Sequence, residues 1–230
     1  DSSISSTMTL DINVNSDKKN FVFEKKIQNL VMIPPIPEMP KNIRVLGQFR
    51  ETYIISENNA GLVLIDQCAL HQRMIYDIFF EAIQKREVPI EKFKASLLME
   101  LNPKESVMIE QILKPLSICG LAVSPFGGNT YAVNSIPKFL FEDQVKKVLI
   151  KILDRSAFLI KDTKDEGTFI NFALTIAEFT SIKPAQMLEM QEMECLLAQW
   201  ENLGSPITSI QGTPFLIEIS LEELKEKIRI

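Results

Sequence analysis

The chain has 230 residues, of which 46% are hydrophobic and 24% are charged, a composition typical of a soluble globular protein. A net charge of −5 at pH 7 excludes a general electrostatic attraction to nucleic acid. The sequence has no apolar run long enough to span a membrane, and its three cysteines lie far apart without a C-x-x-C pair. We therefore expect a cytoplasmic protein with reduced thiols and no membrane contact.

The first 42 residues have the composition of a flexible linker. Ser, Asn, Asp and Lys dominate residues 1–30, and four prolines follow within residues 31–40. Such a segment has no apolar period and favours extended backbone. We therefore expect residues 1–42 to be a linker and the folded region to begin at residue 43.

The folded region opens with a pattern of strand, strand, turn and strand. Residues that favour β-structure occupy 45–49, 53–56 and 62–65, and the sequence Asn-Asn-Ala-Gly at 58–61 is typical of a turn. After Asp66 the apolar spacing changes to that of a helix. Asp66 therefore lies at a sheet-to-helix junction, where its carboxylate can cap the free N–H groups of the first helical turn.

Residues 89–165 have their own order of elements and form a predicted inserted subdomain. A strand over 94–101 precedes the sequence Asn-Pro-x-Glu at 102–105, which predicts a helix start with a capping side chain and an acid three places later. A Gly-Gly hairpin turn at 127–128 and a helix over 142–155 follow. The order strand, helix, strand, strand, helix indicates a compact unit.

The last part of the chain is mainly helical. Helices are predicted over 168–181 and 186–204, and the second carries a stripe of methionine, leucine and Trp200 at helical spacing. Such a stripe predicts core or subunit contact, since thioethers fill irregular gaps. A strand pair over 206–211 and 215–220 and a terminal helix complete the chain.

Three short sequences near the junction resemble those of a known family. They are Leu-Gly-Gln-Phe at 46–49, Tyr-Ile-Ile at 53–55 and Gly-Leu-Val-Leu-Ile-Asp-Gln at 61–67. On these grounds residues 43–230 resemble the C-terminal dimerisation domain of the MutL family of DNA mismatch-repair proteins.

The resemblance implies an α/β fold of the α+β kind, with a mixed sheet and two parts. A dimerisation subdomain would comprise residues 43–88 and 166–230, and an external, regulatory subdomain would be inserted at 89–165. The inserted stretch agrees with the one indicated by the order of elements. The implied assembly is a C2 homodimer with a largely apolar interface, formed from the first sheet and the late helices.

In nicking members of the family, metal ligands come from three motifs, and each motif is altered in this sequence. The first, Asp-Gln-His-Ala-x-x-Glu, corresponds to residues 66–72, with an acid five positions further on. The second, Ala-Cys followed by a basic residue, corresponds to 177–178 with Lys183, and the third, Cys-Pro-His-Gly-Arg-Pro, corresponds to 209–214. The degenerate positions are Asp66, Gln67, Cys68, Gln72, Asp77, Glu178, Ser209 and Gln211.

The substitutions remove strong ligands for zinc or manganese. Cys68 and Gln72 stand for a histidine and a glutamate, Glu178 and Ser209 for cysteines, and Gln211 for a histidine. We therefore expect no catalytic residue, no cofactor and no bound manganese or zinc, and thus no endonuclease activity. ATP and Mg²⁺ would belong to the N-terminal ATPase module of the parent protein, which these residues do not include.

The resemblance also implies a role and a set of partners. The domain would tether two ATPase heads and couple mismatch recognition to downstream repair enzymes. Its partners would be a second copy of the chain, the mismatch-recognition protein MutS, and DNA contacted through the full-length protein. Binding to the sliding clamp stays open, because Glu91, Lys94 and Ser96 differ from the family's clamp-binding peptide at all three matching positions.

Two alternative functions remain open. A divergent Mn-dependent nicking endonuclease would use the carboxylates of Asp66, Asp77 and Glu178. A DNA-binding module would use the three lysines within residues 146–151, although such lysines more often form a solvated helix face. His71, the single histidine, is expected to be a surface or capped residue and not a ligand or an acid-base group.

Overall fold

The computed structural model of the protein describes residues 42–156 and 165–228 and shows an α+β architecture. The strands are β1 (Arg44–Phe49), β2 (Tyr53–Glu57), β3 (Gly61–Asp66), β4 (Ile90–Glu100), β5 (Ala122–Gly127), β6 (Thr130–Pro137) and β7 (Leu216–Ser220). The helices are α1 (Gln67–Lys85), α2 (Pro103–Ile118), α3 (Val145–Ser156), α4 (Asp165–Thr180), α5 (Met190–Asn202) and α6 (Leu221–Ile228), with a 3₁₀ turn at Glu142–Gln144.

Strands β1, β2, β3 and β7 form the first sheet in that order, and each neighbouring pair is antiparallel. Leu64 in β3 lies opposite Ile217 in β7, so the last strand returns from far along the chain to complete the sheet. Gly61 permits this approach, because a Cβ at this position would lie 2.1 Å from the carbonyl oxygen of Ile219. The sheet therefore depends on a residue without a side chain where β3 meets β7.

The two faces of the first sheet differ in what covers them. The covered face packs into a hydrophobic core with Val45, Ile54, Val63 and Ile65 from the sheet, Leu70 and Met74 from α1, and Met193, Leu197 and Trp200 from α5. On the opposite face, Phe49, Tyr53 and Ile217 are 51%, 42% and 58% exposed. We call this opposite side the outer face of the first sheet.

Strands β4, β6 and β5 form the second sheet in that order, also antiparallel. The pairing of β4 with β6 is interrupted between Lys92 and Leu97. Helix α2 begins as predicted: the Asn102 side chain accepts a hydrogen bond of 2.9 Å from the Glu105 N–H, and the Glu105 carboxylate accepts one of 2.9 Å from the Asn102 N–H. The core beside the second sheet contains Ile109 and Leu116 from α2, Tyr131 and Val133 from β6, Val148, Leu149 and Ile152 from α3, and Phe172 and Ile176 from α4.

Helix α1 takes part in both cores. Its first half contributes Leu70 and Met74 to the core of the first sheet, and its second half contributes Ile75, Phe79 and Ile83 to the core of the second. The apolar residues of a helix can pack against different neighbours in its first and second halves. α1 is therefore the element that both cores share.

The α+β class predicted from the resemblance is confirmed, with corrections in detail. The described strand pairs are all antiparallel, so there are two antiparallel sheets in place of a mixed one. The predicted strand at 206–211 is reduced to one bridge between Thr208 and Pro214, because β7 pairs with β3 instead. Residues 1–41 of the predicted linker lie outside the described residues. Within the described ranges, no helix combines the length and apolarity needed to cross a bilayer.

Candidate functional site

Asp66 ends β3 and caps α1. Its backbone is extended, with φ −69° and ψ 108°, and its Oδ1 accepts hydrogen bonds from the N–H groups of Cys68 at 2.9 Å and Ala69 at 3.0 Å. Its own N–H donates to the Phe215 carbonyl oxygen at 2.8 Å. The capping role expected of this carboxylate is confirmed, and one of its oxygens is engaged by the helix start.

Gln67 is fully buried and holds three segments together. Its amide nitrogen donates to the carbonyl oxygens of Glu51 and Gln186, both at 2.8 Å, and its side-chain oxygen accepts from Gln48 at 2.6 Å. Gln48 also donates to the Gln186 carbonyl at 3.0 Å and accepts from the Leu188 N–H at 3.3 Å. The glutamine after Asp66 therefore positions the segment between α4 and α5, a structural role that the sequence pattern did not indicate.

His71 is buried, with 2% exposure, so it does not lie on the surface, which was one of the two expected positions. Its Nδ1 accepts a hydrogen bond of 3.0 Å from the Ile182 N–H. An accepting Nδ1 requires a neutral ring that carries its proton on Nε2. His71 therefore fixes the start of the segment between α4 and α5.

Cys68 and Lys183 lie close enough at this junction to interact electrostatically. Burial raises the pKa of the Cys68 thiol to about 11, with a further rise from Asp66 and an opposing effect of Lys183. Burial also lowers the pKa of Lys183, against the opposing effects of Cys68 and Glu178. The Lys183 Nζ donates to the carbonyl oxygens of Glu178 and Phe179, both at 2.8 Å, and so closes the C-terminal end of α4. A thiol that stays protonated at neutral pH is a poor metal ligand and a poor nucleophile.

Each of the two other candidate carboxylates is paired with an arginine. Arg73 donates through Nε to both oxygens of Asp77, at 2.8 and 3.0 Å, and through Nη1 to the Thr208 carbonyl at 2.7 Å. Arg155 donates through Nη2 to both oxygens of Glu178, at 2.8 and 2.9 Å. Such two-point pairs satisfy the carboxylates with cations of the chain itself.

The third altered motif is a compact turn. The Ser209 N–H donates to the Thr213 carbonyl at 2.7 Å, and the Ser209 hydroxyl accepts from the Thr213 N–H at 3.2 Å. Gly212 has φ +84°, a conformation that favours glycine. Gln211 is exposed at the tip, and Gln72 is half-buried on α1. The chain therefore forms a compact turn here, with serine and glutamine side chains at the positions where the resemblance places ligands.

A groove of about 640 Å³ brings the first and third motifs together. Asp66 and Ser209 line it, and the rest of the wall is largely apolar, with Phe49, Tyr53 and Ile217 from the outer face. Asp77 and Glu178 are not part of this wall. The structure therefore brings Asp66 to Ser209 but does not gather the three candidate carboxylates in one groove.

The residues present do not fit the metal that the resemblance implies for nicking members. In residues 42–156 and 165–228, no group of three or more His, Cys, Asp and Glu side chains is placed to hold an ion. A catalytic divalent site requires several such ligands to converge. The geometry instead supports a scaffold role, with the candidate side chains capping helices and joining segments.

The outer face of the first sheet is part of a wider set of exposed apolar side chains. Besides Phe49, Tyr53 and Ile217, other apolar residues of the first sheet and the late part of the chain are exposed: Leu46 41%, Ile207 57%, Leu221 55% and Ile228 70%. The sequence predicted an interface from the first sheet and the late helices but not which face it uses. The register of β3 and β7 sets which apolar side chains lie on the outer face, and sequence patterns did not predict it.

Comparison with known proteins identifies the family. The sequence model described as the MutL C terminal dimerisation domain matches residues 46–188, more than half of the chain. The chain is 27% identical over 205 residues to the DNA mismatch repair protein MutL of Koribacter versatilis, covering 84% of the chain and 31% of the relative. It is 28% identical over 198 residues to MutL of Symbiobacterium thermophilum, covering 84% and 31%, and 23% identical over 223 residues to MutL of Clostridium tetani, covering 94% and 35%.

The chain thus spans about a third of the length of the curated relatives it matches. The resemblance stated from the sequence is confirmed by the family match and by several relatives that cover most of the chain. The chain belongs to the MutL C-terminal dimerisation domain family.

Proposed function

We propose that this domain pairs with a second copy of itself through the outer face of the first sheet, as part of a DNA mismatch-repair protein. The observation that carries the proposal is the set of large apolar side chains on that face, among them Phe49, Tyr53 and Ile217. A contiguous apolar patch of this kind marks an interaction surface. The family description of a dimerisation domain makes a second copy the occupant that fits best.

The proposed arrangement has two parts. Residues 43–88 and 166–230 form the pairing subdomain, and residues 89–165 form an external, regulatory subdomain inserted between them. The separate second sheet, β4-β6-β5, supports this division. Helices α1 and α4 contribute to the core of the second sheet, and so join the two parts.

The proposed role in the parent protein is mechanical. A permanent C-terminal pair raises the effective concentration of two tethered N-terminal ATPase heads, so that ATP and Mg²⁺ bound there can close a ring around DNA. Residues 1–42 would serve as the tether. MutS would deliver the mismatch signal, and the domain would pass it to downstream repair enzymes.

The proposed domain does not cut DNA itself. Glu178 and Asp77 each pair with an arginine, and the Cys68 thiol is held protonated by burial. The opposite possibility, a manganese-dependent nicking enzyme that uses Asp66, Asp77 and Glu178, has a direct test. Supercoiled plasmid incubated with the chain and Mn²⁺ should stay supercoiled, and nicking that Asp66→Asn abolishes would overturn this part of the proposal.

Sedimentation measures the pairing. At micromolar concentration the 26.2 kDa chain should sediment with twice its mass. Ile217→Asp should give the monomer, since it places a charge in the middle of the apolar face. Leu98→Asp is the matched control, because Leu98 is similarly exposed, at 50%, but lies on the second sheet. A monomeric unsubstituted chain, or equal loss of pairing in both variants, would contradict the proposed interface.

A further inference from the structure

We infer that two arginines of this chain have taken over the role of divalent ions at positions that hold metal ligands in nicking members, so that this region folds without any metal. The inference extends the proposed absence of nicking and rests on it. It concerns two contacts, described in turn: Arg155 with Glu178, and Arg73 with Asp77.

Arg155 neutralises the carboxylate that stands at a family ligand position. Its Nη2 lies 2.8 and 2.9 Å from the two oxygens of Glu178, and its Nη1 lies 2.9 Å from the Thr175 hydroxyl oxygen, a side chain that is fully buried. The pair is about one-third exposed on each side. A metal ion that bound Glu178 would have to displace a two-point guanidinium contact first.

The pair also joins two helices that lie apart in the sequence. Arg155 lies in α3 and Glu178 lies in α4, so the contact joins two helices separated by 23 residues in sequence. Metal ions join distant segments in the same way, by taking ligands from each. Here an arginine does so, through Glu178 and the Thr175 hydroxyl of the same helix.

Arg73 plays the equivalent part for Asp77. Its Nε donates to both oxygens of the Asp77 carboxylate, which lies on the same helix. Its Nη1 donates to the carbonyl oxygen of Thr208, which is 135 residues away and directly precedes the third altered motif. The guanidinium therefore links the first and third motifs. These are segments that supply ligands in nicking members of the family.

The two arginines together leave neither Asp77 nor Glu178 free of a cation of the chain. Lys183 is not part of this replacement, because the family's second motif also has a basic residue at its position.

The experiment compares metal dependence with pair dependence in the full chain. Thermal unfolding is followed in buffer, in millimolar Mn²⁺ and in EDTA, and Mn²⁺ binding is measured by calorimetry. The unsubstituted chain should show the same midpoint in all three conditions and no bound Mn²⁺. A midpoint raised by Mn²⁺, or Mn²⁺ bound in a fixed ratio, would overturn the inference.

Variants test the pair itself. Arg155→Met should lower the midpoint by about 3 °C or more, because it leaves Glu178 without its cation, and Arg155→Met with Glu178→Gln should recover part of that loss. Arg44→Met is the matched control and should change little, since the pair of Arg44 with Glu57 is 73% and 43% exposed. A double variant as unstable as Arg155→Met alone would show that the arginine acts by packing, and would also overturn the inference.

The outcomes separate this inference from the proposed function. Bound Mn²⁺ without plasmid nicking would remove the inference and leave a dimerising, non-cutting domain. Bound Mn²⁺ with nicking that Asp66→Asn abolishes would remove both. Loss of dimerisation alone, with no Mn²⁺ bound, would leave the inference in place.

Discussion

The two sheets are built alike on their covered faces and differ on their outer faces. Besides the exposed Leu98, the second sheet carries outward a row of hydrogen-bonded polar side chains: the Ser96 hydroxyl lies 2.7 Å from the Asn134 side-chain oxygen, and the Asn134 amide lies 3.0 Å from the Ser124 hydroxyl. The first sheet carries Phe49, Tyr53 and Ile217 outward instead. A polar row is satisfied in water, whereas an apolar face gains by being covered. The difference supports the proposal that the first sheet, not the second, faces a partner.

The largest expected loss of stability comes from a substitution where β3 pairs with β7, the strand that joins the first sheet from the end of the chain. Gly61→Ala should destabilise the protein by about 3 kcal/mol and weaken pairing, since the new Cβ would clash with backbone of β7 and displace Ile217. Chemical unfolding and sedimentation measure the two effects.

The matched substitution in the second sheet is Gly128→Asn. Gly128 has φ +56° and open space around it, and asparagine tolerates this conformation better than most residues. This variant should keep its stability within a few tenths of a kcal/mol, roughly the range of surface substitutions. Equal damage from both variants would mean that β7 is not held as described.

A smaller effect is expected from the buried polar groups of the two regions. Gln67→Leu should cost about 2 kcal/mol, because the Glu51 carbonyl loses the Gln67 amide donor and Gln48 loses an acceptor. In the second region, Tyr131→Phe should cost about 1 kcal/mol, because one hydroxyl, 3.1 Å from the Ser106 carbonyl oxygen, is lost. Urea unfolding gives both free energies, and a larger loss for Tyr131→Phe would contradict the importance given to the glutamine network.

The smallest effect is a dependence on pH that distinguishes Cys68 from Cys119. Burial raises the pKa of the Cys68 thiol from 9.0 to about 11, so the folded state keeps its proton where the unfolded state releases it. Its contribution to stability is therefore complete below pH 9.0 and is lost as the pH rises towards 11. Burial also raises the pKa of Cys119, and more strongly, so its contribution continues to fall at higher pH.

Urea unfolding at several pH values, in the unsubstituted chain and in Cys68→Ala, measures this dependence. The difference between the two curves should change between pH 9.0 and about 11 and then level off. A difference that is constant with pH would show that the thiol titrates alike in the folded and unfolded states.

Local features of the fold were predictable from the sequence. The first three strands, the start of α1 at Asp66 and the capping box of Asn102 with Glu105 depend on neighbours within a few residues, and each is present in the structure. Turn chemistry and capping are short-range effects, so a single sequence reveals them.

The contacts missed from the sequence are long-range. Gln67 donates to Gln186, 119 residues away, and His71 accepts from Ile182, 111 residues away. Local spacing in the sequence cannot predict either hydrogen bond. The pairing of β7 with β3 was missed for the same reason, because Ile217 also fits a hairpin with the preceding segment. The three altered motifs were located from the resemblance, while the arginines that pair with Asp77 and Glu178 were not.

Because α1 carries buried residues of both cores, unfolding of α1 would remove packing from both sheets at once. Heat or urea should therefore melt the chain in one cooperative step. The single tryptophan, Trp200, reports on the first core by its fluorescence. Its midpoint should coincide with the midpoint from far-ultraviolet circular dichroism, which records the helices of the whole chain.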